Sequence, residues 1–519
     1  MSGSNARRPR PGVRRPPRPF FLKWRSAPSS FSISRPIRSA PNLPHNNMLT
    51  LADLLEALTS VRPPNASAVV AEGTVDSRRA IPGSLFVAIP GKNTDGHDFV
   101  ADAFRRGASF ALIQKDVDAS FPTLDLRGGL QADSTLNLES PLLLRVDNTI
   151  SALQQIARFW RRKNPNLRVV GITGSVGKST TKEMTAEVLG IRYRTLKSPG
   201  NLNNEIGLPL TLLKIGSGCE RAVLEMGFYV PGEIQFLCDI AQPQIGVVSN
   251  VGTVHAERAG SQEAIFRGKS ELPAALPPDG IAILNFDDPW ARKMEEKTKA
   301  RVFFYGLSPE AHLWADQIEG LGLDGIRFRM HYGRETLHMR IPLIGRHSIH
   351  TALRAAAVGL NDGISWQEIL EGLSHGHTQL RLVAARSGNG ALILDDTYNA
   401  APESMLAALN LLDEMEGRKI AVLGDMFELG PYERQGHEMV GMRAAQVAKT
   451  LITLGARGRM IADAARRAGM KQASILEYEE IAPIVDWLTK NLTANDAVLI
   501  KGSHELGMDR IAAALEVRA

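Results

Sequence analysis

The chain has 519 residues, 44% of them hydrophobic and 22% charged, which is globular in composition and too long for one ordinary core, so about two to four domains are expected. No run of about 18 uncharged apolar residues occurs, which argues against a membrane-spanning helix. The only cysteines, Cys219 and Cys238, argue against a disulfide framework or a cysteine-built metal site and for a reducing, cytoplasmic setting. The formal charge of +6 is unevenly placed: residues 1–47 hold ten of the 61 Lys/Arg and no Asp/Glu, leaving 51 basic against 55 acidic residues, net −4, in the remainder. The basic balance therefore describes a tail, and gives no reason to expect nucleic-acid binding by the body.

Residues 1–47, rich in Arg, Pro and Ser without periodicity, read as disordered. They suit an organelle transit peptide, an upstream extension from a misplaced start before Met48, or a basic arm; the prolines count against a targeting helix and favour a misplaced start or an inert tail. Residues 48–146 read as a small α/β domain. Thr50 is placed to cap a helix with Leu51, Leu54, Leu55 and Leu58 as its apolar stripe. Around the strand Ser84–Ile89 lie Asp76-Ser77-Arg78 and Gly91-Lys92-Asn93-Thr94-Asp95-Gly96-His97-Asp98, a cluster that fits either a polar ligand or ordinary turn chemistry. Residues 126–139 read as a surface loop.

From 147 to 377 a helix, Ile150–Arg162, leads into alternating strands and helices, which implies a mostly parallel sheet covered on both faces. Strands ending at Glu225, Asn250 and Asn285 present polar groups where such sheets bind ligands, beyond their carboxyl ends. Residues 301–343 suggest an antiparallel edge, and Ser348–Leu360 and Trp366–Leu373 helices. A second alternation over 378–519, with strands near 391–396, 419–425, 450–455 and 497–502, predicts a doubly wound, Rossmann-like domain. The fold class is thus α/β with three domains.

The most informative stretch is Leu167–Glu187. Val169-Val170-Gly171-Ile172 has the length and branching of a buried strand. Thr173-Gly174-Ser175-Val176-Gly177 then turns into a helix beginning at Lys178, Ser179 and Thr180. Such a turn aims backbone N–H groups and a helix dipole at one spot, which suits phosphate; Lys178 would neutralise the outer phosphates and Ser179 could ligate Mg²⁺. The spacing departs from the strict phosphate-loop pattern, because Ile172 stands where the first glycine belongs and Gly171 comes one residue early. Glu225, at a strand end beside this loop, is placed for Mg²⁺. His255 follows the next strand, where a structural histidine is the ordinary expectation. Lys269, on a predicted helix, reads by default as a surface lysine. Asp395-Asp396 end a strand, with Tyr398 and Asn399 close behind. An Mg²⁺–ATP site at a domain junction follows, compatible with a ligase, a kinase or a mechanical ATPase.

The order of these motifs resembles the Mur ligase family over nearly all of residues 48–519. Carrying the resemblance are Asp76-Ser77-Arg78, Asp95-Gly96-His97-Asp98-Phe99, Thr173-Gly174-Ser175-Val176-Gly177-Lys178-Ser179, Gly200-Asn201-Leu202-Asn203-Asn204-Glu205, Leu224-Glu225-Met226-Gly227, Asp395-Asp396-Thr397-Tyr398-Asn399-Ala400 and Gly424-Asp425-Met426-Phe427-Glu428-Leu429-Gly430. It is strongest to the branch of cell-wall peptidoglycan synthesis that adds D-alanyl-D-alanine to UDP-N-acetylmuramoyl-tripeptide, and those two are the implied partners, acted on by a monomer. The implied reaction is ATP-dependent amide formation through an acyl phosphate. The resemblance further implies that Ser179 and Glu225 hold one Mg²⁺ and His255 helps hold a second, that Lys178, Lys269 and His255 serve catalysis, and that Lys269 can be carbamylated. Gly174–Thr180, Asn285, Asp395, Tyr398 and Asn399 would contact the nucleotide; Ser77 and Arg78 would face the UDP portion, and Asn203 and Asn204 the sugar-peptide. Thr351, where the family has Asn before Ala-Leu, Ser348, Ala401 and His504 depart from its pattern. Another Mur-type or folylpolyglutamate-type ligase, or a non-catalytic binding protein on this fold, is the competing expectation.

Overall fold

The computed structural model describes residues 48–91, 94–117, 121–130, 138–253, 256–375 and 383–516. The first helix, Leu51–Thr59, forms as its sequence predicts. Thr50 Oγ1 accepts from the Asp53 N–H (3.3 Å) and the Asp53 carboxylate accepts from the Thr50 N–H (2.9 Å), a reciprocal cap. Leu51, Leu54 and Leu55 are buried beneath it.

The first sheet is parallel throughout, in the order Gly73–Thr74, Leu85–Val87, Phe110–Ile113, Leu142–Arg145, Thr123–Asp125. The predicted strand Ser84–Ile89 is shorter than expected. The ladder ends at Ala88, whose N–H still donates to the Leu112 carbonyl (3.0 Å): the Ala88 carbonyl instead accepts from Thr149 Oγ1 (2.8 Å) and the Ile89 carbonyl from the Gly96 N–H (2.9 Å). Of the predicted loop 126–139, Leu126 is buried and residues 131–137 lie outside the described residues.

The second sheet has nine strands, ordered Glu335–Ile341, Ile326–Tyr332, Leu313–Gly320, Arg301–Gly306, Ile281–Asn285, Ile245–Val248, Arg168–Thr173, Arg221–Glu225, Thr195–Lys197. Pairing is parallel except at the 313–341 edge, where two antiparallel pairs form. Side chains alternate between faces, as a pleated strand requires. Val170, Ile172, Val223, Val247 and Ile283 pack with Met184, Val188 and Leu353 on one side. Val169, Leu224, Val248 and Leu284 pack with Ile234, Ile265 and Leu272 on the other. Burial on both faces explains why these strands read as continuous apolar runs, each large side chain contributing about 1.5–3 kcal/mol. The register sets Ile172 beside Glu225, Thr173 beside Val248, and Leu284 beside Val248. The polar residues following these strands therefore share one edge.

The third sheet runs Val383–Arg386, Leu392–Asp395, Asp496–Lys501, Arg418–Gly424, Thr450–Leu454, Ile475–Tyr478 and is parallel apart from its first pair. The short strands Thr195–Lys197 and Ile475–Tyr478 escape sequence reading because half-exposed edge segments lack the apolar run that marks a central strand. Asp395 pairs with Ile500, so Asp396 and Lys501 meet just beyond the ladder. The second and third sheets are bridged where the Glu257 N–H donates to the Glu428 carbonyl (3.2 Å) and Arg258 pairs with Glu428 (3.3 Å).

Candidate active site

The turn after Arg168–Thr173 owes its shape to two glycines and an asparagine. Gly174 has φ +140°, and a methyl group there would overlap Ser249 Oγ; Gly177, with φ +83°, precedes the helix Lys178–Gly190. Asn250 Oδ1 accepts from the Ser175 N–H (3.1 Å) and the Val176 N–H (2.9 Å), and Ser175 Oγ accepts from the Gly252 N–H (2.8 Å). Val176 returns its carbonyl to Ser249 Oγ (2.7 Å). The loop is thus held by the next strand's end, and the positive end of the helix faces outward from it. Lys178 Nζ lies back over the loop, donating to the carbonyls of Gly174 (2.9 Å) and Ser175 (3.3 Å).

Beside the loop, Ser179 Oγ donates to Glu225 Oε2 at 2.6 Å, and Asn203 Nδ2 donates to Glu225 Oε1 at 2.9 Å. Glu225 is buried, with Lys182 Nζ at 3.9 Å. These are hard oxygen donors of the kind Mg²⁺ takes, and Mg²⁺ needs few protein ligands because it keeps waters and substrate phosphates. Among the described residues no group of three or more His, Cys, Asp or Glu side chains is gathered for a metal. His255 lies outside the described residues.

Lys269 departs from the surface default. It is fully buried, its Nζ has no hydrogen-bond partner among the described residues, and the Phe228 ring centroid is 4.8 Å away. Burial first, and then repulsion from Lys178, hold its amine well below the usual lysine range. The glycine before it is required by the same packing, since any side chain at Gly268 would collide with the Phe228 ring.

The loop opens into a cavity of about 350 Å³ whose walls come from both larger sheets. One wall holds Ser175–Thr180, Asn250, Asn285 and the helix Ile349–Asn361; the other holds Asp396, Tyr398–Ala401, Glu403 and Lys501. Asn285 Nδ2 donates to the Ser249 carbonyl (3.0 Å), which anchors its side chain at the cavity rim. Lys501, buried, joins Asp396 Oδ2 (2.7 Å) and the Asn399 carbonyl (2.7 Å) and so shapes the second wall. Asp395 accepts from the Thr397 N–H and hydroxyl (3.0 and 2.7 Å), and of the acid pair it is Asp396 that lines the cavity. Tyr398 is 40% exposed and faces His504 at 6.3 Å between ring centroids.

The remaining predicted residues sit elsewhere. Ser77 is buried and donates to Asp102 (2.8 Å), whereas exposed Arg78 pairs with Asp76 (2.8 Å). Asn203 belongs to the Glu225 cluster. Asn204 accepts from the Ile206 N–H (3.3 Å) and the Gly207 N–H (2.9 Å) in the turn before the helix Gly207–Leu212. Sequence reading missed Arg354, which lines the cavity from the Ala-rich helix. A lone guanidinium on the buried side of an alanine stretch, three residues after Thr351, was the available signal.

Comparison with known proteins agrees in sequence and in shape. Residues 73–161 match the catalytic domain of the Mur ligase family, 172–359 the Mur ligase middle domain and 380–504 the Mur ligase glutamate ligase domain. The UDP-N-acetylmuramoyl-tripeptide–D-alanyl-D-alanine ligase of Bacillus subtilis is 33% identical over 457 residues, which cover 87% of this chain and 94% of that protein. A crystal structure of MurF from Acinetobacter baumannii superposes with a TM-score of 0.77 at 29% identity, covering 90% of this chain and 99% of the other. MurF ligase from Thermotoga maritima in complex with ADP gives 0.69 at 28% identity, over 86% and 97% of the two chains.

Proposed function

The chain belongs to the Mur ligase family, and we propose that it uses ATP to join D-alanyl-D-alanine to UDP-N-acetylmuramoyl-tripeptide. The observation that carries this is the cavity itself. A Gly-Lys-Ser loop, the half-buried Ser179 bonded to buried Glu225, and the Lys501–Asp396 wall meet there. Division into a UDP-substrate domain (48–146), a central ATP domain (147–377) and a C-terminal domain (378–519) is supported by the three sheets.

Amide formation from a carboxylate needs activation, because a carboxylate is a poor electrophile and its approach to a polyphosphate is repulsive. In the proposed reaction a tripeptide carboxylate oxygen bonds to the γ-phosphorus as the bond to the β–γ bridging oxygen breaks, leaving an acyl phosphate and ADP. The amine of D-alanyl-D-alanine then bonds to the acyl carbon and loses its proton; the tetrahedral centre collapses as the C–O bond to phosphate breaks. Lys178 would trade its two loop carbonyls for phosphate oxygens, offsetting charge on the group being transferred. The helix beginning at Lys178 orients the phosphates, and Asn285 and Tyr398–Asn399 fix the nucleoside and exclude water. Ser179 and Glu225 are the residues that would hold Mg²⁺, with His255 for a second ion by family position. Bound there, the ion supplies charge neutralisation between the phosphates.

Lys269 suits carbamylation. A buried amine kept neutral is nucleophilic toward CO₂, and the resulting anion would sit near Lys178, whose charge now destabilises the ammonium. Ser77 and Arg78 with the UDP portion, and Asn203 and Asn204 with the sugar-peptide, complete the reading.

The test is release of ADP and phosphate by the purified chain. Turnover is expected only when ATP, UDP-muramoyl-tripeptide and D-alanyl-D-alanine are present together. Equal turnover with a different acceptor amine, or none with the full set, would refute the assignment. Lysine against diaminopimelate at the third peptide position is resolved in the same assay.

A further inference from the structure

Arg354 is a buried cation to which the reaction above gives no task. It is 5% exposed, and among the described residues no carboxylate forms an ion pair with it. NηH₂ of one arm donates to Thr351 Oγ1 at 2.9 Å and the other arm reaches the Tyr305 hydroxyl at 3.4 Å; Nε is buried and has no partner among the described residues. Tyr305 in turn donates to the Ser249 carbonyl (3.1 Å), the same atom that anchors Asn285. The guanidinium is therefore held by hydroxyls, which orient it without neutralising it. The arm that donates to Thr351 also meets the phosphate loop: a methyl group on Gly177 would come 2.9 Å from Nη2, and Arg354 lines the cavity into which the loop opens.

A buried charge is ordinarily paired, because taking it out of water costs several kcal/mol unless an opposite charge offsets the loss. Among the described residues no carboxylate is paired with Arg354, and the cavity it faces is the one assigned to a polyphosphate. We infer that Arg354 is a phosphate-binding residue, its guanidinium neutralising the phosphate chain of a nucleoside di- or triphosphate seated on Gly177–Thr180, with Thr351 as the residue that positions it. The inference rests on the ATP reading and adds to it a second cation lining the same cavity as Lys178. Arginine suits the role because its planar fork keeps donors for phosphate oxygens after Thr351 and Tyr305 are satisfied.

Calorimetric titration of the full chain with ADP, with a non-hydrolysable ATP analogue, and with adenosine in competition tests this. R354A should weaken ADP and the ATP analogue at least about tenfold while changing adenosine less than about twofold, and R354K should recover part of the loss. T351V, which keeps the charge but frees one arm, should weaken ADP by a smaller factor, and it carries the test alone if R354A does not fold. ADP affinity unchanged in R354A, or in T351V where that variant stands alone, overturns the inference. So does an equal loss for adenosine, which would make Arg354 a support for the base. A wild-type chain that binds no ADP overturns the nucleotide reading itself, and is thereby distinguished from failure at Arg354 alone.

Discussion

Two lysines in this site carry the same functional group in different circumstances. Lys178 has carbonyl partners at the loop, and the proposed reaction gives it the task of a phosphate-loop lysine. Replacing it by Ala should lower the rate of ADP formation by about 10²–10³-fold or more, as loss of one charge-stabilising donor does; turnover within tenfold of wild type would remove Lys178 from the reaction. Lys269 is enclosed, without a hydrogen-bond partner among the described residues, and held well below the ordinary lysine value of 10.5 by burial and then by Lys178. Between its depressed folded value and 10.5 the unfolded chain binds a proton that the folded chain does not, so stability must rise with pH across that window. In CO₂-free buffer, urea midpoints measured upward from about pH 7 should climb, by at most ~1.4 kcal/mol per pH unit from this group, and Lys269→Met should flatten the climb. In ¹³C-bicarbonate the wild type should show a carbamate resonance that the methionine variant lacks; identical spectra would exclude carbamylation.

At the scale of elements, the loop is a strand-to-helix turn whose geometry only glycine allows. A β-carbon at Gly174 would be in collision with Ser249, and φ +140° is strained for any other residue. Gly174→Ala should therefore destabilise the chain by about 2–4 kcal/mol and eliminate ADP binding, because the loop cannot keep both its ladder contact and its N–H directions. Denaturant midpoints with ADP titration measure both effects. A stable variant with full ADP affinity would show that the loop tolerates a different path. The neighbouring elements are just as constrained: Ser249 contacts the turn through Oγ and carries Asn285 and Tyr305 on its carbonyl.

Across the whole molecule, the cavity joins elements separated by more than 200 residues, with Ser179 on one wall and Lys501 on the other. A ligand that touches both walls binds the assembled arrangement alone, so ADP at about 100 times its Kd should stabilise the chain by about 2.7 kcal/mol. That stabilisation should extend to slowed amide exchange over residues 396–404. Lys501→Met leaves Asp396 without its cation and frees the Asn399 carbonyl. It should cost about 3 kcal/mol and accelerate exchange over 396–401. Exchange unaffected by both ADP and the substitution would mean that the second wall takes no part in nucleotide binding. No helix among the described residues is long and apolar enough to cross a membrane.

Local chemistry determined what the sequence alone could reveal. Runs buried on both faces announced the central strands, the Gly-Lys-Ser turn announced phosphate, and strand-end residues Glu225, Asn250 and Asn285 were placed at one edge because parallel strands must share a register. The order of motifs carried the family. Tertiary structure decided what depends on residues distant in sequence. Ser179 meets Glu225 across 46 positions, Asp396 rather than Asp395 lines the cavity because Lys501 arrives beside it, and Lys269 lies in the interior although its helix reads as half polar. Arg354 belongs to the second group. Its own sequence shows only an arginine among alanines, and its charge acquires a meaning where the fold sets it against Gly177, with no carboxylate among the described residues paired to it.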